Sequence, residues 1–182
     1  MADPARILDF WFGPDPGEKR AEWFAGGPAF DDLCRQFEPD WRRAAAGALA
    51  DWLATPEGLL AFVVLTDQIP RNIFREDPRA FATDRAALSA AGLAVRRGWD
   101  TAMTLHERAF LYLPFEHAED MAAQDESVRL YSALGDPEYL KFAEAHRDII
   151  ARFGRFPHRN AALRRLSTPA EIAFAETKGR GF

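Results

Sequence analysis

Cysteine is nearly absent from this sequence: Cys34 is the single thiol in 182 residues. One thiol excludes an internal disulfide and any zinc site built from cysteines. It fits a reducing compartment, and a small side chain of this kind reads as a buried apolar residue. Long apolar runs are missing as well. No stretch reaches the roughly 18 apolar residues of a membrane span. The stretch Met1–Phe12 lacks a basic region followed by a long apolar run, so no signal peptide is expected. Positive charge is in deficit, with a formal net charge of -5. That balance argues against non-specific nucleic-acid binding, which needs a basic face. Strict apolar/polar alternation, linkers, low-complexity tracts and a repeat of about 34 residues are all lacking. So are a Gly-rich phosphate loop, a nucleophile elbow and a helical two-histidine zinc motif. The expectation is a single cytoplasmic domain spanning residues 1–182, with no membrane or nucleic-acid partner.

Helix punctuation is abundant. Asp3-Pro4 sets an N-cap before a proline at the first helical position, opening a helix that runs to Phe12 and stops at Gly13. Thr55-Pro56 opens a helix from Glu57 to about Gln68, and Asp77-Pro78 opens one ending near Gly98. Asp136-Pro137 starts a helix that Gly154 ends. Thr104 with Glu107 and Thr168 with Glu171 have capping-box spacing. Trp23, Phe24, Phe30, Leu33, Phe37 and Trp41 space out like a helical face, with Pro39 as a break or kink. Aromatics make up 13% of the chain, with 15 Phe and 5 Trp, which implies a ring-rich core or groove. The fold class is all-α: about eight helices, joined by short turns and packed as antiparallel hairpins.

Polar residues on apolar helices mark the candidate site. Leu59–Leu65 is apolar on every side and reads as buried. Its exit carries Asp67, Gln68, Arg71 and Asn72. Asp67 and Arg71 are four apart and can pair if the last turn is regular. These residues either satisfy the orphan carbonyls of a buried helix end or line a pocket. Past Pro114 a helix is expected to run on through Leu130, placing His117, Asp120 and Gln124 on one stripe beside Met121. Chelation of a metal by His117 and Glu119 would require an irregular turn there. His146 shares a face with Phe142, Ile150 and Phe153. The loop after Gly154 gathers Arg155, His158, Arg159 and Asn160. Asn160 reads either as a cap for the next short helix or, with the arginines, as part of an anion site. The stretch Arg152–Arg165 holds five arginines and no acid, so it is either a basic surface or a set of arginines paired with distant acids.

Five segments resemble the bacterial domain-of-unknown-function 924 family: ILDFWFG (Ile7–Gly13), DQIPRNIFR (Asp67–Arg75), AFATD (Ala80–Asp84), FLYLPFEHAED (Phe110–Asp120) and HRDIIARFGRFPHRN (His146–Asn160). The resemblance covers nearly the whole chain in order. It implies a tetratricopeptide-repeat-like compact helical bundle and brings no established activity. The motif positions it carries over are Asp67, Gln68, Arg71, Asn72, His117, Glu119, Gln124, His146, His158, Arg159 and Asn160. Members commonly read His-Ser-Glu where this chain has His117-Ala118-Glu119.

Three functions follow. The first is a pocket that binds or acts on a small anionic molecule. Arg71 and Arg159 would grip the anion, His117 or His146 would move a proton, and Glu119 or Asp67 would orient a histidine or balance an arginine. Asp67, Gln68, Asn72, Gln124, His158 and Asn160 would complete the binding set. A metal held by the histidines is a subordinate form of this reading, and no cofactor is named. The second is a scaffold for a protein or peptide. The third is a purely structural polar network.

Overall fold

The computed structural model describes residues 3–178 and is all-α, with no strand among them. Its α-helices are α1 (Pro4–Phe12), α2 (Glu22–Ala25), α3 (Pro28–Cys34), α4 (Glu38–Ala45), α5 (Pro56–Val63), α6 (Ile69–Ile73), α7 (Asp84–Arg97), α8 (Leu105–Glu116), α9 (Met121–Leu134), α10 (Pro137–Phe153) and α11 (Pro169–Lys178). Eight of these run eight residues or more. None of the described helices is long and apolar enough to cross a membrane. The described residues form two compact units. One is the chain up to Arg75 with Arg79–Pro114, and the other is Glu76–Pro78 with the chain from Phe115 on.

Local capping fixes most of the helix starts. The Asp3 carboxylate accepts from the Ala5 N–H, the Thr55 hydroxyl from Gly58, and the Asp136 carboxylate from Glu138 and Tyr139. Each satisfies a donor that the first helical turn leaves orphaned. Both capping boxes form. Glu107 accepts from the Thr104 N–H at 2.8 Å, and Glu171 from the Thr168 N–H at 2.7 Å.

In the first unit, α5 is the buried centre, with Leu59, Ala61 and Val63 fully enclosed. It packs against α1 and α7 and against the 3-10 segment Ala50–Ala54. Gly58 is required by that last contact, because a Cβ there would run into the Trp52 carbonyl oxygen. The helix does not end at Gln68. A π-helical turn, Val64–Gln68, carries it into α6 and through Pro70. The proline explains the turn: its ring would clash with the carbonyl of Thr66 in a regular helix and it has no N–H to offer. The Thr66 carbonyl instead accepts from the Thr83 hydroxyl at 2.6 Å, and that hydroxyl accepts from Trp41 Nε1 at 3.0 Å.

Three other expectations need correction. The Trp23–Trp41 stretch is four short pieces, and Leu33 points outward at 57% exposure, because Gly26-Gly27 and Pro39 reset the helical phase. The segment after Pro78 is a 3-10 turn, Pro78–Phe81, and α7 starts only at Asp84. Thr83 ties up this break by bonding to Thr66. The helix past Pro114 stops at Glu116 and restarts at Met121, because the Asp120 carboxylate caps a new helix through the Ala123 N–H.

In the second unit α9 and α10 form a tight hairpin. Gly135 closes α9 in the left-handed conformation at φ 82°, and Asp136-Pro137 starts α10 directly after it. Ile149, Ile150 and Phe156 form a core against which Phe153 and Phe174 pack.

Candidate functional site

In the second unit, α10 positions His146 with its ring 8% exposed. Its Nδ1 lies 2.9 Å from the Phe142 carbonyl oxygen and 3.1 Å from Glu116 Oε1 at the end of α8. The Phe142 carbonyl can only accept, so Nδ1 carries the hydrogen. In the neutral ring the lone pair then sits on Nε2. Burial first, then the neighbouring His117, push His146 down to about 3. His158 and Arg159 push the same way, and the Phe142 carbonyl opposes them. His146 is therefore a neutral imidazole at physiological pH.

Around this ring stand the other candidate groups. The His117 ring meets His146 edge-on at 6.2 Å between centroids. Phe156 meets it at 5.5 Å. Phe156 also carries the Arg159 guanidinium 4.5 Å above its ring and the His158 ring 5.5 Å away. Arg159 is buried at 5% exposure, whereas His158 is exposed. Thus His146, His158 and Arg159 gather around Phe156, His117 stands against His146, and His117, His158 and Arg159 act electrostatically on His146.

Glu119 does not serve these histidines. Its carboxylate takes a two-pronged bond from Arg165, at 2.6 and 2.9 Å, and accepts from the Phe156 N–H at 2.8 Å. Burial works to raise this carboxyl. The hydrogen bonds from Arg165 and Phe156, with the charges of Arg165 and Arg159, outweigh it and hold Glu119 below the usual carboxylate value. Glu119 thus ties the turn that carries His117 to the loop that carries Phe156. Asn160 closes the 3-10 turn Pro157–Arg159 through its backbone, and its side chain does not cap a following helix. It donates to the Ser167 hydroxyl at 3.0 Å and accepts from Arg165 Nε at 2.9 Å. Arg155 is held by Glu171 at 2.6 Å and by the Leu166 carbonyl at 2.8 Å. These arginines therefore pair with acids elsewhere in the unit. The stripe of His117, Asp120 and Gln124 does not exist, because the chain breaks between Glu116 and Met121. Gln124 instead turns back and donates to the carbonyls of Glu116 and Ala118, both at 2.7 Å, capping the end of α8.

The other predicted residues lie in the first unit. Arg71 Nη1 is 3.2 Å from Asp67 and 3.0 Å from Asp84, and it also binds the Asp67 carbonyl. Burial lowers this guanidinium, but the two carboxylates outweigh it and hold the proton more firmly than usual. Gln68 donates to the Asp67 carboxylate at 2.5 Å, and Asn72 to the Gln68 carbonyl at 3.1 Å. Arg71 and Asn72 thereby tie their side chains to the backbone carbonyls of the π turn. Among the described residues, no group of three or more His, Cys, Asp or Glu is placed to hold a metal ion. Cys34 is fully buried and its thiol is pushed up to about 12, chiefly by that burial, which keeps it protonated near neutral pH.

The family model described as a bacterial protein of unknown function (DUF924) matches residues 7–179. The chain belongs to this family. A solved structure, that of the protein of unknown function ATU0120 from Agrobacterium tumefaciens, is 44% identical with a TM-score of 0.88. That match covers 96% of this chain and 97% of the other. No curated protein matches.

Beside the DUF924 motif positions, sequence reasoning missed Glu116 and named Arg165 among the five arginines without its partner. Glu116 sits directly before His117 in the FLYLPFEHAED segment, yet only its contact with α10 gives it a role. Arg165 trails the last motif and shows its role only through Glu119.

Proposed function

We propose that this chain binds a small anionic molecule at the His117, His146, His158 and Arg159 cluster of the second unit, with His146 Nε2 as the proton acceptor. One observation carries the reading: a buried, neutral histidine whose Nδ1 is committed to Phe142 and Glu116, surrounded by three groups that repel its protonation. A buried arginine stacked on Phe156 adds a fork suited to carboxylate or phosphate.

The electrostatics supply a mechanism. A bound anion offsets the positive charge of Arg159 and of any proton held by His117 or His158. That relief raises the affinity of His146 for a proton, so binding and protonation reinforce each other. Binding then takes up a proton, and affinity rises as pH falls below neutrality. Glu119 and Arg165 act as positioning residues by fixing the loop that bears Phe156 and Arg159.

The test is calorimetric titration with inorganic phosphate, sulfate and butyrate at pH 5.5 and 7.5, beside thermal unfolding of wild type and Arg159→Ala. Ligand at about 100 times its Kd adds roughly 2.7 kcal/mol and raises the midpoint by several degrees. At least one anion is expected to bind wild type, more tightly at the lower pH, and to leave Arg159→Ala unmoved. Binding of short peptides but of no anion would overturn the reading, as would equal binding by the variant.

A further inference from the structure

Two buried polar atoms on α9 are left without a protein hydrogen-bond partner. The Gln124 side chain is completely buried, and so is that of Ser127, one turn further along α9. Neither Gln124 Oε1 nor Ser127 Oγ meets a hydrogen-bond partner. The orientation of the Gln124 amide is fixed, because its nitrogen faces three carbonyls, those of Phe115, Glu116 and Ala118. Only an N–H can face a carbonyl, so the end of the dipole left unmet is an acceptor. Leaving such a group unmet in the interior costs free energy, and buried polar atoms are rarely orphaned without a reason. The place is close to the candidate site. Gln124 Nε2 is 2.7 Å from the backbone oxygen of Glu116, the residue whose carboxylate approaches His146 Nδ1. The helix bearing both orphans packs on α10, which bears His146.

We infer that the anionic ligand also carries a hydroxyl group, which donates to Gln124 Oε1 and accepts from the Ser127 hydroxyl. This rests on the anion site proposed above and names the class of molecule it takes: a small hydroxy acid or a phosphate monoester with a free hydroxyl. The complement is chemical. An amide oxygen only accepts, and a serine hydroxyl both donates and accepts. A ligand hydroxyl satisfies both at once. A ligand ammonium has no lone pair and leaves the serine hydrogen unmet.

The experiment compares butyrate with 2-, 3- and 4-hydroxybutyrate and with 3-aminobutyrate, and propyl phosphate with its 2- and 3-hydroxy forms. Calorimetry is run on wild type, Ser127→Ala and Arg159→Ala. Ser127→Ala removes a hydroxyl that bonds to nothing in the free protein, so it is expected to fold with an undiminished thermal midpoint. One hydroxylated isomer is expected to bind wild type at least tenfold more tightly than its parent. Ser127→Ala is expected to reduce that isomer to the parent's affinity. Equal binding of parent and hydroxylated forms, all lost in Arg159→Ala, would overturn the hydroxyl subsite and leave the anion reading standing. A preference for 3-aminobutyrate, or a hydroxyl preference that survives in Ser127→Ala, would overturn it in the same way. No binding by either series would overturn both.

Discussion

The protonation of His146 makes a stability prediction with a sign and a size. In the unfolded chain this imidazole titrates near its ordinary value of 6.5, and in the folded protein near 3. Between those values the unfolded state binds a proton that the native state refuses. Stability contributed by the neutral ring is therefore complete above pH 6.5 and is lost as pH falls toward 3. The slope approaches about 1.4 kcal/mol per pH unit. From pH 7 to pH 5 the loss attributable to this group is about 2 kcal/mol. Urea unfolding of wild type and His146→Gln at pH 7, 6 and 5 isolates it, because glutamine does not titrate and the other groups are shared. Unfolding free energy of wild type minus that of the variant is expected to fall by about 2 kcal/mol over this range at unchanged m-values. Parallel pH profiles would refute the reasoning, and a difference that grows toward pH 5 would refute it more strongly. Either result would mean that Glu116 holds a proton on His146 in the native state against burial and the neighbouring cations.

Three further outcomes are expected. Glu119→Gln should cost about 2 kcal/mol in urea unfolding, since it weakens a two-pronged, half-buried pair. The lead of wild type over this variant should be full above pH 4.5 and shrink as pH falls through the lowered Glu119 value. Gly58→Ala should lower the urea midpoint despite the better helix propensity of alanine, with a net cost of about 1–3 kcal/mol, because the new methyl meets the Trp52 carbonyl. Gln124→Leu should cost about 1–3 kcal/mol by leaving the carbonyls at the end of α8 without their donor, read by thermal unfolding.

The sequence alone determined several of the helix starts. Asp3-Pro4, Thr55-Pro56, Asp136-Pro137 and the two capping boxes are legible because a cap and its target lie within three residues of one another, inside any reading window. It also determined that Leu59–Leu65 is buried, since a helix apolar on all sides has no face to offer water. The tertiary structure alone decided how Pro70 is absorbed. The freed Thr66 carbonyl needs Thr83, which lies seventeen residues on and reaches it only after α5 and α7 pack. It alone decided where the helix expected through Leu130 breaks, because Gln124 must cap the end of α8 from the next helix. It also chose the partners: Glu119 pairs with Arg165 and Glu171 with Arg155, and Glu116 stands beside the neutral His146. Those pairs are separated by 46, 16 and 30 positions. A run of five arginines cannot announce which acid each will meet, because every guanidinium offers the same fork. Only the return path of the chain distinguishes a latch such as Arg165 from an arginine placed beside a neutral histidine, such as Arg159.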